Sequence, residues 1–445
     1  MTGFLKWAPW CLVATCACGP VGPGGTSSSS SSSSSSGSAG ITFTFGEAEP
    51  VGPDDPSTAG GLAVAVHPTS GEVNVLYFVQ LTSTQTCTTN LNTQQIPESD
   101  LRLARGNAAN GFTQSSVDHP RSADGVAATF DAAGNLVVVY TGGMNGSGIC
   151  SASDLVQAVL SGTGAPAITT LAPDGNTGAT CRSIQNACNR GDVVGRFPRV
   201  AFLSDGTRVV STQDTHYGFS EQSDRRGADL EVMVGGAMET VDESSGAGYG
   251  GWLFLADGLP AVVHSHIADQ TFTSGPTQKG VWLARRDAAG VWTSVLVDGT
   301  VVTEDPLSAA WHPQKGYALA WQDPVGNDLV IATSADGTAW TNEVVDSLGR
   351  VGAYPSLAFS HDTLVVAYYV CNGPTDTGGN CVPAKDGVRF AWKAEDGWHF
   401  KMIYNNEEAL GGTDVKVALD GAGNPVVAFK SQGTRRVMVV TGSGS

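Results

Sequence analysis

The sequence predicts an all-β protein, and three of its properties lead to this fold class. Glycine is abundant, at 57 of 445 residues, whereas charged residues make up only 15% of the chain. Short runs rich in β-branched and aromatic residues alternate with turns that contain glycine or aspartate. The same alternation of run and turn recurs along most of the chain. Many short strands joined by glycine turns produce this composition, which helical enzymes seldom have.

The first 40 residues are predicted to lie outside the fold. The apolar segment after Lys6 is too short to span a bilayer and indicates an export signal in residues 1–18. Cys16 and Cys18 resemble the lipid-modified cysteine of bacterial lipoproteins, with plain secretion as the alternative. Residues 19–40 contain ten consecutive serines and predict a flexible linker. We therefore expect an exported protein, lipid-anchored at the outer membrane or cell surface, whose folded domain occupies residues 41–445.

The clearest structural repeat occupies residues 354–405. Four β-type runs, 354–359, 363–369, 388–392 and 398–404, are joined by turns and predict one four-stranded antiparallel sheet. Seven such units recur about 59 residues apart, each marked by a bulky apolar residue that ends the first run. These marker residues are Val66, Phe130, Phe202, Leu255, Trp311, Phe359 and Leu419.

The last strand of the unit also repeats, with an acid six positions after a bulky apolar residue, as in residues 292–298 and 340–346. Only six units contain this strand. Residues 41–45 alternate in period two and supply the missing strand of the seventh unit. The repeats therefore predict a seven-bladed β-propeller closed by an N-terminal strand, with no long exposed sheet edge. Six or eight blades are the alternatives, because a long insertion around residues 177–192 obscures the count.

One turn carries a resemblance to a known family. Residues 334–341 read Ser-Ala-Asp-Gly-Thr-Ala-Trp-Thr. This segment resembles the Asp box of sialidase-like (BNR-repeat) β-propellers, although it lacks the residue between Asp and Gly and has Ala before Trp. The resemblance implies a structural turn, capped by Asp336, whose Trp340 packs between sheets away from any active site. Sialidase activity would also require three arginines that grip a carboxylate, for which Arg121, Arg199 and Arg350 are the candidates.

Six cysteines follow the leader, an even number that is typical of an oxidising compartment. Proximity in the sequence favours disulfides between Cys181 and Cys188 and between Cys371 and Cys381, which leaves Cys87 with Cys150. Other pairings of the six remain open. No CxxC motif or histidine at ligand spacing accompanies them, so disulfides are favoured over a zinc site.

The predicted binding face is formed where first strands begin and second strands end. Candidate ligand-binding residues at these positions are Arg121, Arg199, Asp214, Tyr249, His266, Asp305, Asp323, Arg350, Tyr354, Asp414 and Lys430. A metal ion is a further hypothesis, because Asp214, His216, His264 and His266 offer ligand types that transition metals prefer. Solvated polar residues at strand ends are the alternative. We predict no other cofactor.

The sequence favours binding over catalysis, because it contains no GxSxG elbow, HExxH helix or phosphate-binding glycine loop. A net charge of −18 argues against binding nucleic acid or an anionic membrane surface. The main hypothesis is a monomeric binding module for an unidentified protein or glycan at the bacterial envelope. The alternative is a carbohydrate-active enzyme, a sialidase-like glycoside hydrolase or a lyase, that uses the same face. An assembly scaffold is a third hypothesis.

Overall fold

The computed structural model describes residues 41–52, 60–88, 93–120, 124–143, 153–162, 164–173, 193–215, 228–242, 246–267, 278–301, 303, 305–371, 386–405, 411–431 and 434–445. The all-β prediction is confirmed, since every regular element in these ranges is a strand. Within the same ranges, no helix has the length and apolar character needed to cross a bilayer. The leader with Cys16 and Cys18 and the serine linker lie outside the described residues.

Twenty-eight of the strands form seven antiparallel four-stranded units, and one further strand extends an edge. Unit 1 consists of β3 (Leu62–Val66), β4 (Val73–Thr88), β5 (Thr93–Asn107) and β6 (Gly111–Asp118). Unit 2 consists of β7 (Val126–Phe130), β8 (Leu136–Gly143), β9 (Ser153–Leu160) and β10 (Ala167–Ala172). Unit 3 consists of β11 (Val193–Phe202), β12 (Arg208–Thr215), β13 (Ala228–Val234) and β14 (Ala237–Asp242). Unit 4 consists of β15 (Tyr249–Ala256), β16 (Leu259–His266), β17 (Gly280–Arg286) and β18 (Trp292–Asp298).

The C-terminal units follow the same plan. Unit 5 consists of β19 (Ser308–His312), β20 (Gly316–Gln322), β21 (Leu329–Ser334) and β22 (Thr341–Asp346). Unit 6 consists of β23 (Arg350–Ser360), β24 (Thr363–Cys371), β25 (Asp386–Ala394) and β26 (Gly397–Asn405). Unit 7 consists of β27 (Gly411–Leu419), β28 (Pro425–Ser431), β29 (Arg436–Gly444) and β1 (Phe43–Phe45). The short strand β2 (Glu49–Pro50) extends the pairing along β29. One parallel pair, Val193 with Ser153, joins units 2 and 3 into an eight-stranded sheet.

The N-terminal segment adds a fourth strand to unit 7. Phe43 pairs with Gly444 and Phe45 with Gly442 in an antiparallel ladder. Phe43 is buried, and its ring lies 5.3 Å from that of Phe390 in unit 6. The alternation of residues 41–45 therefore corresponds to a strand whose apolar side packs against the neighbouring sheet.

The hydrophobic core lies between neighbouring units. Seven apolar clusters of described residues each combine side chains from two consecutive units, and one of them combines unit 7 with unit 1. The first strands contact one another in chain order, and β27 contacts β3 in the same way. Second strands such as β8 are buried along their whole length, since both faces of each sheet are covered.

The repeated acid at the end of the last strand has a packing role. Asp118 accepts a hydrogen bond of 2.6 Å from the hydroxyl of Tyr140 in the next unit. Asp346 accepts an equivalent bond of 2.6 Å from Tyr368. In both pairs a last strand is joined to the second strand of the following unit, so the sequence repeat marks inter-unit hydrogen bonds rather than a binding site.

The turn that resembles an Asp box is structural in this protein. The Asp336 carboxylate accepts from the backbone amide of Thr338 at 2.8 Å. This bond, together with those from the Thr338 side chain and the Ala339 amide, lowers the pKa of Asp336 to about 2. The ring of Trp340 lies 6.2 Å from that of Tyr317 in the same unit, edge to face, and packs against the apolar cluster that units 4 and 5 share. Both roles agree with what the resemblance implies, and neither concerns catalysis.

Of the six cysteines, Cys371 is buried at the end of β24 and is disulfide-bonded. The side chains of Cys87, Cys150, Cys181, Cys188 and Cys381 lie outside the described part of the structure, so the pairings stay predictions.

Candidate functional site

Four first strands are bulged near their beginnings, in units 3, 4, 6 and 7. In units 3, 6 and 7 the bulge holds a residue other than glycine with a left-handed backbone: Phe197 with φ 46°, Tyr354 with φ 52° and Asp414 with φ 56°. The three positions are equivalent, each five residues before the marker residue of its unit. Such a conformation costs roughly 1–2 kcal/mol per residue and concentrates at functional sites. The bulges therefore indicate a candidate functional site at the beginnings of the first strands.

The strained residues line one cavity, which we call the first-strand cavity. Its volume is about 220 Å³, enough for roughly seven waters. Every unit except unit 4 contributes, and the lining residues are Gly60, Gly61, Leu62, Asp124, Gly125, Val126, Phe197, Arg199, Pro306, Tyr354, Asp414 and Lys416. In unit 4 the equivalent position is Gly250, with φ 61°, where a Cβ would lie 2.3 Å from the carbonyl oxygen of Asp305. Only glycine fits there, because the neighbouring first strands approach so closely.

Three cations lie close together at the cavity. Arg199 and Lys416 line it, and Lys430 is buried behind it. The Asp414 carboxylate is 2.7 Å from the Lys430 amine, which also donates to the carbonyl of Gly60. Burial opposes ionisation of Asp414, but Lys430, followed by Lys416 and Arg199, outweighs burial and lowers its pKa. Three cations thus share one half-buried carboxylate, and that carboxylate is already bound by Lys430.

The Arg199 guanidinium is held in place from both sides. It lies 4.4 Å from the ring centre of Trp252, and Nη1 donates to the carbonyl of Pro198 at 2.8 Å. The buried Nε has no hydrogen-bond partner among the described residues. Burial lowers the pKa of Arg199 to about 10, against the opposing charge of Asp414. The group remains charged at neutral pH and keeps a free donor.

Lys416 is the second cation of the cavity. Its side chain is 9% exposed, and Nζ donates to the carbonyl of Val415 at 3.2 Å. Burial lowers the pKa of Lys416 to about 8; the charges of Arg199 and Lys430 act in the same direction, and Asp414 opposes them. A buried amine of this kind can bind an anion, or act as a base or nucleophile.

The rim adds aromatic and acidic groups. Tyr354 is half-buried, and burial, together with the charges of Asp414 and Asp305, raises its pKa to about 12. The hydroxyl is therefore a hydrogen-bond donor at neutral pH. Asp124, which also lines the cavity, forms a 3.1 Å ion pair with Arg196.

The structure brings some of the predicted ligand-binding residues together and separates others. Arg199, Tyr354 and Asp414 line the cavity, and Lys430 supports it from behind. Asp305 is exposed next to Pro306 of the lining, and Arg350 is exposed at the start of β23.

The remaining candidates have structural roles or are not described. Tyr249 is buried and packs 6.2 Å from Phe197. Asp323 accepts from the backbone amides of Val325 and Gly326 in the turn after β20. Asp214 and His266 are completely buried, because second strands are covered on both faces, so neither presents its side chain to solvent. Arg121, and with it the proposed group of three arginines, lies outside the described residues.

The candidate metal ligands have other partners. His264 Nδ1 accepts from the amide of Gly248 at 3.3 Å, and its Nε2 faces Asp242 at 3.6 Å. His266 Nδ1 donates to the carbonyl of Gln278 at 2.9 Å. Burial, outweighing the charge of Asp242, lowers the pKa of His264. Across the described ranges no three His, Cys, Asp or Glu side chains are grouped to hold a metal, and His216 lies outside those ranges.

Sequence reasoning missed Lys416 and Phe197. A signal was present, because the bulged strands share a Gly-x-x pattern: Gly195 and Phe197, Gly352 and Tyr354, and Gly412 and Asp414. Two of these segments continue with proline. When the strands are aligned on their marker residues, Phe197, Tyr354 and Asp414 occupy equivalent positions. Arg199 and Lys416 lie two residues further along their strands.

Comparison with known proteins gives structural similarity only. No family model and no curated protein matches the chain. A protein of unknown function from Dyadobacter fermentans is 12% identical, with a TM-score of 0.46 over 90% of this chain and 99% of its own. The polysaccharide lyase Uly1 is 10% identical, with a TM-score of 0.48 over 87% of this chain and 90% of its own. A leech intramolecular trans-sialidase is 9% identical, with a TM-score of 0.41 over 91% of this chain and 70% of its own. Similarities at this level assign neither family nor activity.

Proposed function

We propose that the protein is an exported β-propeller that binds a small anionic ligand, an acidic sugar or related carboxylate, in the first-strand cavity. The observation that carries this proposal is that two cations, the half-buried Arg199 and the buried Lys416, line one cavity and have no carboxylate of their own among the described residues. An arginine fork is suited to a carboxylate, and a buried cation is stabilised by an opposite charge.

We propose seven blades in a closed ring. The contact of β27 with β3 and the apolar cluster shared by units 7 and 1 support this closure. In a closed ring the beginnings of the first strands meet around one axis, which accounts for a cavity lined by six different units. Export and a lipid anchor on Cys16 or Cys18 are part of the proposal. Metabolic labelling with a fatty acid tests the anchor, and unlabelled protein would exclude it.

Calorimetric titration tests the ligand class. Glucuronate is expected to bind and glucose, its neutral counterpart, is not. Arg199→Met and Lys416→Met are expected to weaken glucuronate binding at least about ten-fold each, the loss of one charge-assisted hydrogen bond. Lys315→Met removes an exposed lysine and serves as the matched control. Equal binding of glucose and glucuronate, or an unchanged affinity in both cavity variants, would exclude the anion site.

A second candidate function is a carbohydrate-active enzyme, a lyase in particular. The observation in its favour is Lys416, because burial lowers its pKa to about 8 and a general base works best near the ambient pH. In this reaction Arg199 would hold a uronate carboxylate and Lys416 would take the neighbouring C5 proton. A C4=C5 double bond would form as the C4–oxygen bond breaks, and the leaving oxygen would take a proton from water. The near-ultraviolet absorbance of the unsaturated product, followed with uronate polysaccharides, tests this candidate. If the polysaccharides bind but no unsaturated product forms, the protein is a binding module and not a lyase.

A further inference from the structure

Lys416 differs from the other lysine at the cavity. Lys430 is held by Asp414 at 2.7 Å and by the carbonyl of Gly60. The Lys416 amine has the Val415 carbonyl at 3.2 Å and, among the described residues, no carboxylate within ion-pair distance. It lines the cavity directly. Of the two amines, Lys416 is therefore the one that a ligand in the cavity can reach.

The surroundings keep part of this amine neutral. The charged groups that face it are Arg199 on β11, Lys430 on β28 and Asp414 on its own strand. Burial and the two cations lower the pKa of Lys416 to about 8, against the effect of Asp414. At pH 7 about a tenth of the amine is then neutral, compared with a few parts in ten thousand for an ordinary lysine. Desolvation and a neighbouring cation are the two means by which lysines are activated as nucleophiles.

We infer that Lys416 forms an imine with a small 2-oxo acid whose carboxylate is held by Arg199 in the first-strand cavity. This inference rests on the anion-binding role proposed above and narrows the ligand to one with a carbonyl next to its carboxylate. The neutral amine adds to the carbonyl carbon to give a carbinolamine. The C–OH bond then breaks, the hydroxyl leaves as water with a proton from the nitrogen, and a C=N bond remains. No oxidant or reductant takes part.

Reductive trapping of the full chain tests the inference. Isotope-labelled pyruvate is added at pH 7 with cyanoborohydride, which reduces an imine to a stable amine, and labelled peptides are located by mass spectrometry. Label at Lys416 is expected to form at least about ten-fold faster than at the exposed Lys315, because its neutral fraction is greater. Lys416→Arg keeps the charge and should abolish this label. Arg199→Met should slow it about ten-fold, and Lys315→Arg should leave it unchanged.

Thermal unfolding of each variant shows whether it folds as the unmodified chain does, and trapping is compared among folded variants only. If Lys416 labels no faster than Lys315, the imine inference is wrong. Titration with glucuronate then separates the two ideas, because Arg199-dependent binding of glucuronate would leave the anion site in place. If Lys416 is not labelled preferentially and glucuronate does not bind either, the proposed anion site is also wrong. Competition by glucuronate against pyruvate labelling would support one shared cavity.

Discussion

The inter-unit hydrogen bond between Tyr368 and Asp346 allows a quantitative test of how neighbouring sheets are held. Tyr368 is completely buried, and its hydroxyl donates to Asp346 at 2.6 Å. Burial, together with the Asp346 charge, raises the pKa of Tyr368, so the hydroxyl stays protonated. Tyr368→Phe removes a bond to a charged acceptor, which is worth about 1.5–3 kcal/mol. Arg389 still binds the same carboxylate, so we expect about 1.5–2 kcal/mol of destabilisation.

Two further tyrosines calibrate this value. Tyr140→Phe should cost about 1–1.5 kcal/mol, because its acceptor Asp118 is only half-buried and water can replace the hydroxyl. Tyr404 donates to or accepts from the uncharged Ser431 at 2.9 Å, so Tyr404→Phe should cost about 0.5–1 kcal/mol.

Guanidinium unfolding at pH 7, followed by tryptophan fluorescence, measures the three free energies. A double-mutant cycle with Asp346→Asn should give a coupling of at least about 1 kcal/mol with Tyr368→Phe. The reasoning is refuted if the two changes are additive, or if Tyr404→Phe destabilises the protein as much as Tyr368→Phe does.

Four other outcomes are expected. Lys416→Met removes an amine whose pKa is lowered to about 8, so it should raise the free energy of unfolding at pH 7 by on the order of 3 kcal/mol. Chemical denaturation measures this gain, which should vanish above about pH 10.5. Burial lowers the pKa of His264, so the stability of the protein should fall as the pH drops below about 6.5. His264→Tyr offers Asp242 a hydroxyl and should make stability less dependent on pH, as measured by unfolding midpoints between pH 7 and 5. Phe43→Ala should cost about 3–5 kcal/mol in the same assay. The stability that Asp336 contributes should be lost as the pH falls from about 4 to 2, and Asp336→Ala should abolish this pH dependence. The same variant should leave glucuronate binding unchanged.

The repeat could be predicted because it depends on short-range patterns. Marker residues such as Phe130 and Phe202 end first strands, and residues 41–45 alternate as a strand must. The acid repeat was also visible, but its partners were not. Asp346 and Tyr368 lie in different units, and only the packing of two sheets brings them together. Periodicity describes which residues form a strand, not which strand lies across from it.

The site was predictable where it lies at strand ends and not where it depends on bulges. Arg199, Tyr354 and Asp414 could be proposed because first strands were expected to begin near them, although β11, β23 and β27 begin three to six residues earlier. Lys416 was missed because a lysine within a strand usually indicates a solvent-facing side chain. The bulge at Thr413 and Lys416 shifts the register and places this lysine in the cavity. His266 shows the opposite case, since a strand-end histidine expected at the surface is buried between sheets.

Two features of the first-strand cavity oppose stability, and together they argue for a binding role. Phe197, Tyr354 and Asp414 hold left-handed backbones at roughly 1–2 kcal/mol each. Burial of the Lys416 amine, which lowers its pKa to about 8, destabilises the fold by on the order of 3 kcal/mol at neutral pH. Glycine at the bulges would relieve the first cost, as Gly250 does in unit 4, and an apolar residue at position 416 would relieve the second. A bound anion would offset the second cost directly, because it would stabilise the charged form of Lys416 and raise its pKa towards the ordinary value.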